Sequence, residues 1–200
     1  RPPIVCMVYL DDWLILAPTQ DEIRRVQPLV DQVLSEYGLC RQAGKGVWPD
    51  GGTQIIEHLG VGANLGMGLF YVPAKRLARI RQQARSLLSS KAKHNGRVDS
   101  LWLAQFAGLA MSTWLAVKQA RFRIRPMFDD LVRGGAYRRQ FRGSVRLSRE
   151  SVRMLQWWRD LESNPEVGRT LWRPPVDTPI CTDASTSIGW GGNFGAHPLT

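Results

Sequence analysis

Residues Ile4–Ala17, IVCMVYLDDWLILA, decide how this 200-residue chain is read. An apolar run rich in β-branched residues, from Ile4 to Leu10, is broken by Asp11 and Asp12 and resumes from Trp13 to Ala17. Two short strand-like runs separated by two residues that suit tight turns predict a β-hairpin with the aspartates at its tip. Adjacent carboxylates on one turn repel each other, which costs stability unless something positive sits there. Hard divalent cations such as Mg²⁺ want oxygen ligands and take one or two carboxylates together with substrate phosphates. The pair can therefore be turn formers or metal ligands, and the apolar strands on both sides favour the second reading.

Outward from the hairpin, Thr19 with Glu22 three positions later has the pattern of a capping box. Ile23, Val26, Val30, Val33, Leu34 and Tyr37 then recur at helical spacing and predict a helix that buries this stripe. Pro28 is expected to kink it and Gly38 to end it. A loop from Gly44 to Gly52 carries Lys45 and Trp48, and strand-like runs follow at Gln54–Val61 and Leu69–Val72. After Pro73 the chain reads as helical, over Ala74–Ser90, Val98–Ala120 (interrupted by Gly108) and Ser148–Ser163. Between the last two lies an arginine-rich connector, Arg121–Arg146, whose alternation RFRIR predicts a strand or extended arm with a basic face opposite Phe122 and Ile124. Pro165, Pro174 and Pro175 mark a linker, and Thr178–Asp183 and Ile188–Phe194 read as strands opening a further domain. The expected class is α+β, with units at 1–72 and 73–164, a linker at 165–177 and a last unit at 178–200. No internal repeat or low-complexity segment interrupts this pattern.

Hydrophobic residues make up 44% of the chain and charged residues 22%, a globular composition. The longest purely apolar run, Ile4–Leu10, is far short of the roughly 20 residues that a membrane helix needs, so no transmembrane span is expected. The absence of an initial Met and the stop after a Gly-rich stretch suggest a piece of something longer. Cys6, Cys40 and Cys181 form no C-x-x-C pair, which excludes a disulfide scaffold and a cysteine-rich zinc site and suits a reducing intracellular compartment, cytoplasm or nucleus. His58, His94 and His197 are scattered, and Trp102, Trp114, Trp157 and Trp158 are expected in the core. The net charge of +10 is unevenly placed. Lys75–Arg153 holds 19 Lys and Arg against 4 Asp and Glu, whereas the remainder holds 8 against 13. Localised positive charge favours a polyanion partner. Nucleic acid suits it better than a membrane surface, because the arginines are spread over several helices and not along one amphipathic face.

With these residues in view, the string V-Y-L-D-D-W-L-I at Val8–Ile15 resembles the Y-x-D-D hairpin of reverse transcriptases. Gly38-Leu39 with Lys45 and Pro49 resembles the next block of that polymerase palm, which sets a lysine near the incoming triphosphate. Glu57-His58-Leu59-Gly60 resembles the block that grips the primer, although His58 stands where an aromatic is often found. Pro73-Ala74-Lys75 would open the thumb. Thr182-Asp183-Ala184-Ser185 with Gly189-Trp190-Gly191 resembles the first strand of a ribonuclease H domain. Together with the Trp157-Trp158 helix, these strings are most similar to retroelements of the DIRS-like, tyrosine-recombinase type.

The resemblance implies a partial polymerase palm, a mostly helical thumb and connection, and the first strands of a ribonuclease H-like domain. It implies an RNA-directed DNA polymerase working on a template–primer duplex and deoxynucleoside triphosphates by two-metal nucleotidyl transfer. Mg²⁺ or Mn²⁺ would be held at Asp11 and Asp12, and at Asp183 in the ribonuclease unit. Lys45 would neutralise or protonate the leaving pyrophosphate. His58, Leu59 and Gly60 would lie along the primer, while Lys75, Arg76, Arg79, Arg121, Arg123 and Arg125 would hold duplex phosphates without reading bases. Such a palm also needs an aspartate on an earlier strand, which no residue here matches, so this chain alone is expected to be inactive. The alternative is a non-catalytic basic module, a retroelement remnant that binds duplex or hybrid nucleic acid.

Overall fold

The computed structural model describes residues 3–40, 52–161 and 168–171, together with the backbone of strands at 180–185, 189–194 and 197–199. The hairpin forms from β1 (Val5–Tyr9) and β2 (Asp12–Leu16), antiparallel with Tyr9 opposite Asp12. Its two-residue turn is therefore Leu10–Asp11, and Asp12 opens the second strand. This register sets Val8 against Trp13, Met7 against Leu14 and Cys6 against Ile15, apolar against apolar.

Helix α1 (Gln20–Glu36) starts where the capping pattern placed it. The Glu22 backbone N–H donates to Thr19 Oγ1 at 3.3 Å, and that hydroxyl donates to Glu22 Oε2 at 3.1 Å. At the other end the Leu39 N–H reaches Leu34 O at 2.8 Å and the Gly38 N–H reaches Ser35 O at 3.0 Å. Gly38, at φ 69°, supplies the left-handed residue that this helix stop requires. Pro28 lies inside α1 without ending it. The apolar stripe is less covered than its spacing predicted: no α1 residue is buried, and Val33 and Tyr37 are exposed. The hairpin is a separate two-stranded sheet, and no larger sheet of the described residues closes over that stripe.

The expected strand at 54–61 is instead a second hairpin, β3 (Ile55–His58) and β4 (Val61–Asn64), because Leu59 and Gly60 turn with φ of 49° and 78°. Positive φ at both central residues is the signature of the twist-matched two-residue turn. Strand β5 (Leu69–Tyr71) adds to β4. Helix α2 (Ala74–Lys93) and β6 (Arg97–Asp99) follow, then α3 (Ser100–Met111), α4 (Ala120–Arg133), β7 (Ser144–Arg146) and α5 (Arg149–Arg159). Strand β8 (Arg169–Thr170), inside the stretch expected as a linker, completes a four-stranded sheet in the order β3-β4-β5-β8. Strands β9 (Ile180–Ser185), β10 (Gly189–Phe194) and β11 (His197–Leu199) form an antiparallel sheet with Asp183 opposite Gly191.

The core lies among α2, α3, α4 and α5, under the two-stranded β6–β7 sheet. Ile80, Ala84 and Leu87 meet Leu103, Phe106 and Ala110, with Ile124, Met127 and Leu131 from α4 and Leu155 and Trp158 from α5. Phe106 and Trp158 contact edge to face at 6.5 Å between ring centres. Each such large side chain contributes roughly 1.5–3 kcal/mol by leaving water.

Two sequence expectations fail here for identifiable reasons. The RFRIR segment is helical in α4, because Ala120, Ile124, Met127 and Leu131 recur at helical spacing beyond the five residues that alternate. The long helix expected over 98–120 ends at Met111, where Ser112 and Thr113 donate their hydroxyls to Leu109 O and Ala110 O, each at 2.7 Å. Such bonds compete with continued helix. The ensuing turns carry Ala116 and Val117 into the core. Among the tryptophans, Trp158 is buried and Trp102 and Trp157 are partly so, whereas Trp114 is exposed.

Candidate nucleic-acid interface

The β3–β4 turn and the first turn of α2 meet at one point. Gly60 lies directly beneath the Arg76 guanidinium, so that a Cβ at position 60 would fall on Arg76 Nη1. Glycine suits the φ of 78° and leaves room for the guanidinium in this position. Arg76 Nη2 donates to Ser112 Oγ, which ties the guanidinium to the end of α3. Its Nε is buried without a partner. Burial holds the Arg76 pKa below the usual guanidinium value, and the charge of Arg79 lowers it further. A partly buried cation whose side-chain partner among the described residues is a neutral hydroxyl, beside a second cation, is an electrostatically open position. An oxyanion placed there would offset both the desolvation and the repulsion.

Lys75 and Arg79 flank Arg76 and are exposed. The whole of α2, AKRLARIRQQARSLLSSKAK, contains no carboxylate. Its exposed cations, Lys75, Arg79, Arg85 and Lys93, therefore meet no carboxylate from their own helix, which is the footprint that phosphates seek. The Glu57–Gly60 block and the Lys75–Arg79 block, separate in the sequence, thus form one locus, with His58 and Leu59 on the turn that carries Gly60.

The α4 arginines divide differently. The helix places Arg121 and Arg125 one turn apart, while Arg123 points elsewhere, so the three do not form the single basic face that the alternation suggested. Arg123 lies over the Trp157 ring at 4.2 Å, with Nη1 3.9 Å from Met154 Sδ and its Nε buried without a partner. It is a packing residue between α4 and α5. Arg121 stacks over exposed Trp114, also at 4.2 Å, and Arg125 is exposed. These two remain available to an anion.

At the first hairpin, Asp11 occupies the turn and Asp12 begins β2, both exposed. Leu10 has φ 56°, in the region that favours glycine. Among the described residues no group of three or more His, Cys, Asp or Glu gathers into a metal site. The tip thus offers two carboxylates, a donor set that suits a hard divalent ion completing its shell with water and phosphate. Lys45 and the Asp183 side chain lie outside the described residues.

No family model, curated protein or solved structure matches this chain. What bears on function is therefore its own geometry. That geometry includes one residue that carries no sequence signal: Ser112, 36 positions from Arg76, positions its guanidinium. No helix among the described residues is long and apolar enough to cross a membrane.

Proposed function

We propose that this chain is part of an RNA-directed DNA polymerase, and that its described portion grips a template–primer duplex by the phosphates. One observation carries the reading: Leu59–Gly60, expected from the resemblance to lie along the primer, and Lys75–Arg79, expected to hold duplex phosphates, are in contact through Gly60 and Arg76. In nucleotide addition the primer 3′-oxygen forms a bond to the α-phosphorus of a deoxynucleoside triphosphate. The bond to the pyrophosphate oxygen breaks and the hydroxyl proton is released. A divalent ion at Asp11 and Asp12 would lower the charge cost of that exchange. The part of Lys75, Arg76 and Arg79 is to fix the duplex backbone, with Arg76 aimed by Ser112 and by the room that Gly60 leaves.

A second reading, a non-catalytic module that binds hybrid nucleic acid, is favoured by the lack of a third ligand near Asp11 and Asp12 among the described residues. Two measurements separate them. A fluorescent RNA–DNA hybrid is expected to bind with an affinity that falls steeply with salt and is weakened at least several-fold by Arg76→Gln. Mn²⁺ is expected to broaden the amide resonances of residues 10–13 in wild type and not in Asp11→Asn. Hybrid binding with no Mn²⁺ effect would leave the binding module. Absence of hybrid binding would sink both readings.

A further inference from the structure

At the far end of α2 from Gly60, roughly 30 Å away for a helix of 20 residues, lies a second concentration of positive charge. Arg97 on β6 and Arg146 on β7 are directly opposed in the antiparallel ladder. Like charges facing each other across a strand pair are destabilising. They border an open groove of about 330 Å³, together with Arg133 at the end of α4 and the start of α5 at Ser148.

The carboxylate of the groove does not relieve this repulsion. Asp130 is only 3% exposed, and its oxygens are already committed. Oδ1 accepts from Arg133 Nη2 at 2.7 Å, while Oδ2 accepts from the Ser148 N–H at 2.8 Å and from the Ser148 and Ser151 hydroxyls at 3.0 and 2.5 Å. Asp99, on the same strand as Arg97, accepts from the Trp102 N–H at 2.8 Å to cap α3. Arg97 is itself held in place by donating Nε to Ser144 Oγ and Nη2 to Ser144 O, both at 2.9 Å. Arg146 has no carboxylate partner among the described residues and passes close to Gly96, where a Cβ would lie 3.6 Å from Arg146 Nε. Three arginines, Arg97, Arg133 and Arg146, thus border one groove whose lining carboxylate is saturated, and an oxyanion there would offset the excess positive charge.

We propose that the Arg97–Arg146 pair, with Arg133 beside it, is a second phosphate-binding site, and that its occupant is a phosphodiester of a nucleic-acid backbone. The inference rests on the nucleic-acid reading above, but concerns residues that reading does not use.

The test titrates a fluorescent 16-base-pair RNA–DNA hybrid into wild type, Arg97→Gln with Arg146→Gln, Arg146→Gln alone and Arg76→Gln, between 50 and 200 mM KCl. Arg146→Gln alone is included because it breaks no hydrogen bond of the β6–β7 strand pair. Each lost contact is expected to reduce the slope of log affinity against log salt by about 0.9, and to weaken binding near 0.1 M salt roughly tenfold. Wild-type slope and affinity in both groove variants, with Arg76→Gln impaired, would overturn the second site and leave the nucleic-acid reading intact. No binding by wild type would overturn that reading, and this one with it. A parallel titration follows the Arg97 and Arg146 Nε–H resonances with hybrid, inorganic phosphate and a nucleoside monophosphate. Shifts with hybrid at micromolar concentration, and with the small anions only at much higher concentration, support the backbone assignment. Shifts with the small anions alone would overturn it.

Discussion

Two leucines in the left-handed region mark the two motif turns, Leu10 at φ 56° and Leu59 at φ 49°. An L-residue there costs roughly 1–2 kcal/mol, and strain of this kind gathers at functional sites. Leu10 is 83% exposed, so its side chain returns little by packing. Leu10→Gly is therefore expected to stabilise the hairpin by about 0.5–1 kcal/mol, after the extra chain entropy of glycine is subtracted. Slower hydrogen exchange at the Val8 and Trp13 amides would register it; unchanged exchange would mean the turn is not strained. Gly60 poses the opposite case. Gly60→Ala is expected to cost about 1 kcal/mol for its positive φ and to push the Arg76 guanidinium from its seat. Hybrid affinity should then fall as it does in Arg76→Gln, and the double variant should bind no worse than either single one. Additive losses would show that the two residues act separately.

Among the elements, the joint between α4 and α5 is the tightest polar assembly described, and it depends on Asp130. Its carboxylate stands at the N-terminus of α5, where it takes one backbone N–H and two hydroxyls and complements the helix dipole. The ion pair to Arg133 adds little, since that guanidinium is 66% exposed. Asp130→Ala should cost about 2–4 kcal/mol by leaving buried donors unpaired, against about 1 kcal/mol for Ser148→Ala. Urea unfolding measures both, and equal losses would show that the cap and not the carboxylate matters. This joint was invisible in the sequence because Asp130 and Ser148 are 18 positions apart and neither carries a motif. The first hairpin, the Thr19 cap and the Gly38 stop were legible because each is decided within a few residues. Helix α4 was not legible because the five-residue alternation at Arg121–Arg125 overlies the twelve-residue apolar spacing from Ala120 to Leu131. The mixed α+β class could be read from the order of strand-like and helical runs. The contact of Gly60 with Arg76 could not, because it depends on how the sheet edge meets α2.

Across the whole molecule, most of the exposed large apolar side chains and the excess of cations fall in different stretches of the chain. The hairpin β1–β2 and helix α1 expose Val8, Tyr9, Leu10, Trp13, Leu29 and Tyr37, while the excess of cations falls between Lys75 and Arg153. The two surfaces should respond to salt in opposite ways. Coulombic attraction to phosphates is screened over about 10 Å at 0.1 M salt, so hybrid binding should weaken as salt rises. Contiguous exposed apolar surface attracts apolar probes by a force that salt does not screen, and sulfate strengthens it. A neutral fluorescent apolar dye such as Nile red is thus expected to bind the chain at low and high salt alike. Val8→Lys with Leu29→Lys should reduce that signal by at least half while leaving hybrid affinity unchanged. If the lysines instead strengthened hybrid binding, the N-terminal unit would lie against the duplex. That outcome would bring Asp11 and Asp12 within reach of the strand that Lys75–Arg79 is proposed to hold. Loss of the dye signal with unchanged affinity would show that the α2 side carries the grip on the duplex and that Val8 and Leu29 lie off its path.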